Sequence, residues 1–139
     1  MQIISIIGKS KSGKTTLIEK LIPELKSRGL RVGTVKHAHH GFEIDHPGKD
    51  SYRHREAGAE IVALSSKDKI AIQRIIQKET SLNEIIQSYF PDELDIVLVE
   101  GYKSEQGFKI EVNGVKSKDV KEVAGLIMAK LFSKKEVLR

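Results

Sequence analysis

Eight residues near the amino end, Gly8-Lys9-Ser10-Lys11-Ser12-Gly13-Lys14-Thr15, match the pattern G-x-x-x-x-G-K-[ST] at every defined position. The chemistry is the holding of a polyphosphate. The two glycines let the main chain curl until successive amide N–H groups face one anion, and a helix beginning there adds partial positive charge. Lys14 is expected to reach the β- and γ-phosphates and to act in catalysis, while the Thr15 hydroxyl ligates Mg²⁺ and Thr16 serves the α-phosphate. The expected nucleotide-binding set is Gly8, Ser10, Ser12, Gly13, Lys14, Thr15 and Thr16.

A nucleotide-bound magnesium ion also needs a carboxylate, direct or through water. Asp95 and Glu100 bracket the apolar run Ile96 to Val99. As a strand, that span separates them by roughly 16 Å, so only one can serve. Ligands of open α/β sheets collect at the carboxyl ends of strands, which selects Glu100, together with Thr15, as the expected metal set.

A second polar group follows the next strand-like segment. Lys36, His37, His39 and His40 end it, and Asp45, His46 and Asp50 lie in the loop beyond. Three readings stand: a divalent-metal site, a switch in which Asp45 or Asp50 positions a water or a magnesium ligand, or hydrogen-bonded imidazoles on a polar loop. Arg53, His54 and Arg55 supply donors for a second anion, or a solvated face paired with Glu56 and Glu60.

These residues need a scaffold. Ile3, Ile4, Ile6 and Ile7 form a β-branched run suited to a strand buried in a parallel sheet. A helix from about Gly13 to Arg28 should follow, with Leu17, Leu21 and Leu25 on one face and Gly29 as its stop, although Pro23 falls inside it. Further expectations are a strand over 31–37, a loop over 38–49, and a short helix capped by Asp50 or Ser51 and closed by Gly58. An antiparallel hairpin over 60–65 and 69–75, a helix over 81–90, strands over 95–100 and 108–112, and a closing helix over 119–131 complete the chain. Strands alternating with helices predict an α/β, three-layer P-loop fold with a mostly parallel, mixed sheet, as one nucleotide-binding domain over residues 1–139.

Composition narrows the partners. At 139 residues the chain is close to one domain's length, and its balance of apolar and charged residues is that of a folded protein. With no cysteine, thiolate metal sites and thiol chemistry are excluded. No apolar run is long enough for a membrane span or a signal core, so a cytoplasmic protein with no membrane partner is expected. The formal charge of +5 suits anionic ligands. Lys116, Lys118, Lys121, Lys130, Lys134 and Lys135 alternate with acids and aliphatics, however, which reads as a solvated helix face and not a nucleic-acid surface.

The phosphate loop, Lys36-His37-Ala38-His39-His40, the block Asp45 to Ala59 and Val99-Glu100-Gly101-Tyr102-Lys103 together resemble the MobB family of molybdopterin-guanine dinucleotide biosynthesis adapter proteins. The resemblance covers about residues 2 to 112. It implies a homodimer that binds GTP with Mg²⁺, hydrolyses it weakly and assists a molybdenum cofactor guanylyltransferase. It further implies that the histidine block and the Asp45 to Ala59 block flank the nucleotide, with molybdopterin as a ligand whose phosphate meets Arg53 and its neighbours. Lys36, His37, His39, His40, Arg53 and Lys103 form the expected second-anion or switch set. No [NT]-K-x-D guanine motif occurs, so the choice of guanine rests on the resemblance. Two other readings are a small-molecule P-loop kinase or ATPase using Asp45 or Asp50 as base, and a metal carrier built on His37, His39 and His40.

Overall fold

A computed structural model describes residues 1–9, 11–102, 107–112 and 119–137, the last four by their backbone alone. Ser10, Lys103, Lys116, Lys118 and the side chains of Lys134 and Lys135 lie outside the described set. The elements in chain order are β1 (Gln2–Ile7), α1 (Lys14–Ser27), β2 (Val32–Lys36), α2 (Asp50–Glu56), β3 (Ile61–Ser65), β4 (Ile70–Arg74), α3 (Leu82–Tyr89), β5 (Ile96–Glu100), β6 (Phe108–Glu111) and α4 (Val120–Val137). They fall into two compact units, one of residues 1–39 with 86–139 and the other of residues 40–85.

The first unit is built on a four-stranded sheet in the order β2-β5-β1-β6 with every pairing parallel. Such strands are covered on both faces and must be apolar along their length, which is why Ile96, Val97, Leu98 and Val99 are all fully buried. Alternation sends Ile4, Ile6, Ile96, Leu98 and Ile110 to one face. There they pack with Leu17, Ile18, Leu21 and Leu25 of α1 and Val123, Ala124 and Ile127 of α4. Each such aliphatic side chain contributes on the order of 1.5–3 kcal/mol by leaving water. On the opposite face Gly33 sits against Phe90 and Leu94, so close that a Cβ at this position would come within 2.9 Å of both. Helices α1 and α4, the sheet, and the segment after α3 therefore make three layers.

Local signals account for the helix ends. Helix α1 runs through Pro23, which lies on its exposed side, where the Glu19 carbonyl it cannot satisfy is open to water. It closes on Gly29 at φ +85°, with Gly29 N–H donating to Lys26 and Leu30 N–H to Leu25, the Schellman pattern. Helix α3 opens with a reciprocal capping box: Ser81 N–H donates to Glu84 Oε2 and Glu84 N–H to Ser81 Oγ. Helix α4 extends to Val137, six residues past the expected end at 131.

In the second unit, β3 and β4 form the expected hairpin, closed by Ser66 N–H donating to Lys69. They make a separate two-stranded sheet, so the parallel and antiparallel pairings of the fold are divided between two sheets. The cap of α2 differs from expectation. Its N-cap is Lys49, whose ammonium offers the helix N–H groups no acceptor, while the Ser51 hydroxyl, inside the first turn, donates to Asp45.

Candidate functional site

The loop between β1 and α1 takes the shape its glycines permit. Gly13 stands at φ +97° and caps α1, and Lys11 also adopts a positive φ of 61°. Gly8 leaves no room for a side chain, since a Cβ there would approach Ser12 Oγ to 2.6 Å. Ser12 Oγ is itself buried and has no hydrogen-bond partner among the described residues, a donor that costs free energy unless an anion or water satisfies it. Lys14 Nζ folds back over the loop and donates to the Gly8 carbonyl at 2.8 Å. Thr16 is exposed on the first turn of α1. Curled backbone, buried hydroxyl and overlying ammonium together fit a phosphate chain.

Parallel pairing then brings a carboxylate to the loop. Glu100 ends β5, whose neighbour β1 feeds the loop, and the Thr15 hydroxyl lies within hydrogen-bonding distance of both Glu100 oxygens, at 3.0 and 3.2 Å. Lys36, the register partner of Glu100 on β2, places Nζ 3.9 Å from Oε1. A hydroxyl and a carboxylate converging this way form a donor set of the hard oxygen type that magnesium prefers. Asp95 is at the other end of β5, where its Oδ2 accepts the Arg31 N–H at 2.8 Å.

One residue beyond Lys36 and Glu100 the two strand ends are laced together. His37 N–H donates to the Glu100 carbonyl, and His39 Nε2–H donates to the Gly101 carbonyl at 3.1 Å. The ring of His37 meets His39 edge to face, with centroids 4.4 Å apart, and leans on Tyr102 at 4.9 Å. Gly101, at φ +100°, permits this closeness: a Cβ there would sit 2.9 Å from the His37 carbonyl oxygen. Among the described residues no group of three His, Asp or Glu side chains is placed to hold a metal ion, so the metal-carrier reading finds no support.

The second unit gathers the other expected residues. Asp45, its side chain only 6% exposed, accepts a hydrogen bond from Ser51 Oγ at 2.9 Å, and its other oxygen faces Arg55 Nε at 4.0 Å. Arg55 also pairs with Glu43 at 2.9 Å and lies over the Tyr52 ring. Asp50, in the first turn of α2, is exposed, as are His40 and Arg53. Residue types and spacing did not identify Tyr102, Glu43 or Tyr52, because each acts through a partner that only folding supplies.

A family model described as molybdopterin guanine dinucleotide synthesis protein B, MobB, matches residues 3–129. The chain belongs to the MobB family. The match takes in the phosphate loop, Glu100 and the whole of the 40–85 unit. A MobB relative from Haemophilus influenzae, named molybdopterin-guanine dinucleotide biosynthesis adapter protein, is 47% identical over 103 residues, 74% of this chain and 58% of its own. One of the same name from Escherichia coli is 40% identical over 110 residues, 78% of this chain and 63% of its own. The chain thus spans about three fifths of the length of these two MobB relatives. The crystal structure of Bacillus subtilis MobB superposes with a TM-score of 0.69 at 29% identity, covering 88% of this chain and 73% of that one.

Proposed function

We propose that the chain is a GTP-binding adapter in molybdenum cofactor biosynthesis that assists a guanylyltransferase partner in forming molybdopterin-guanine dinucleotide. The observation that carries this reading is the meeting of Thr15 with Glu100 at the mouth of a complete phosphate loop, in a chain whose relatives bear the adapter name. Gly8, Ser10, Ser12, Gly13, Thr15 and Thr16 hold the phosphates, and Lys14 exchanges the Gly8 carbonyl for phosphate oxygens. Thr15 and Glu100 hold Mg²⁺, which when bound offsets charge on the phosphate oxygens. The two units act as one cytoplasmic nucleotide-binding domain.

Hydrolysis is slow in this reading. The arginines described in the first unit, Arg28 and Arg31, stand at the end of α1 and the start of β2, away from the loop. Among the described residues of this unit no guanidinium is therefore supplied to the transferring phosphate, a contribution worth about 10³–10⁵ in rate where it is present. Of the two acids offered as water-positioning groups, Asp50 is exposed. Asp45 is held by Ser51 beside Arg55. Lys36, His37, His39, His40, Arg53 and Lys103 serve a second anionic ligand, molybdopterin, or the switch that reports the nucleotide.

Titration with a fluorescent GTP analogue tests the assignment. Lys14→Ala should weaken binding by about two orders of magnitude, the loss expected for one ammonium bonded to two phosphates, with unchanged circular dichroism. Undiminished affinity in the folded variant would overturn the reading.

A further inference from the structure

Lys36 stands apart from the histidines it precedes. It is the final residue of β2, in register with Glu100, yet its side chain is 65% exposed whereas that of Glu100 is 12% exposed. Thr15 is bonded to the carboxylate at 3.0 and 3.2 Å, while the ammonium stays at 3.9 Å, beyond hydrogen-bond reach. Charge alone holds it there, at the tip of a flexible four-carbon stem.

That attraction depends on Glu100 keeping its negative charge uncompensated. Glu100 and Thr15, if they held a divalent cation, would no longer offer Nζ an uncompensated negative charge. The anion left for the ammonium would be the phosphate chain itself, which the adjoining loop is built to hold. Lys14 is positioned for the loop interior, over Gly8. Lys36 approaches from the other side, from β2 across β5.

We infer that Lys36 is a second phosphate cation, specific for the terminal phosphoryl group, and that it leaves Glu100 for that group when the carboxylate's charge is taken up in holding magnesium. It is thus the residue that distinguishes a nucleoside triphosphate from a diphosphate. This inference rests on the nucleotide-binding reading above and adds to it a specificity determinant and an order of events.

The test is a calorimetric titration of the full chain with a non-hydrolysable GTP analogue and with GDP, each with Mg²⁺ and with EDTA, for wild type, Lys36→Ala and Lys36→Arg. Because Lys36 is mostly exposed, both variants should melt with the wild type. In Lys36→Ala, affinity for the triphosphate with Mg²⁺ should fall roughly tenfold or more, the scale of one lost charge-assisted hydrogen bond. GDP binding, and triphosphate binding in EDTA, should stay within about twofold, and Lys36→Arg should recover most of the loss. An equal fall for GDP, a fall that persists in EDTA, or no fall at all would overturn the role of Lys36 and leave nucleotide binding standing. Failure of the wild type to bind either nucleotide would instead remove the parent reading and this one with it.

Discussion

At the scale of single residues, the site is governed by how closely backbones approach. Gly101 shows this most plainly, because its positive φ and its contact with the His37 carbonyl both exclude a side chain. Gly101→Ala should cost about 2 kcal/mol or more, lowering the melting temperature by roughly 7 °C or more, and should also weaken nucleotide binding, because Glu100 is its neighbour. Calorimetric melting with a GTP titration checks both effects. An alanine variant as stable as wild type would mean that the strand ends are not locked together. Glu100 was legible from the sequence because an apolar run followed by an acid marks the end of a buried strand. The Lys36–Glu100 pair was not: Lys36 read as part of the histidine block, and its partner lies 64 positions away in the chain. No spacing rule links parallel strands that far apart.

Elements tell a similar story with a different limit. The apolar runs at 3–7 and 96–99 and the leucine stripe of α1 were readable because each repeats with the period of its own secondary structure. Which strand pairs with which is not encoded in that period, so alternation located β3 and β4 without showing that they form a sheet of their own. That ribbon leaves Ile61, Ile70 and Ile72 exposed on one face, with Ile72 opposite Ala63 and Ile70 opposite Ser65. A two-stranded hairpin is marginal in water without a covered face, and exposed apolar surface of this kind suits the homodimer that the family resemblance implies. Ile72→Lys should convert a species of twice the chain mass to one of single mass in light scattering, with circular dichroism unchanged. A wild-type protein that is monomeric at high micromolar concentration would count against that homodimer.

For the whole molecule, ligand binding and stability are linked. GTP with Mg²⁺ at a hundred times its dissociation constant should stabilise the chain by about 2.7 kcal/mol, visible as a rise of several degrees in melting temperature. Glu100→Gln should lose the part of that rise that depends on magnesium and keep the part that persists in EDTA. A shift identical in the two proteins would place the metal elsewhere.

The sheet order has a consequence for biogenesis. Strand β1 is translated well before its two partners, β5 and β6, at residues 96–111, and β2 waits for the same β5. Among the described residues no neighbouring pair in this sheet is consecutive in the chain, so the nascent polypeptide must carry the isoleucine-rich β1 unpaired until β5 has been made. High contact order of this kind slows folding and exposes sticky intermediates, so of the four strands of this sheet β1 should be the longest-lived target for cotranslational chaperones.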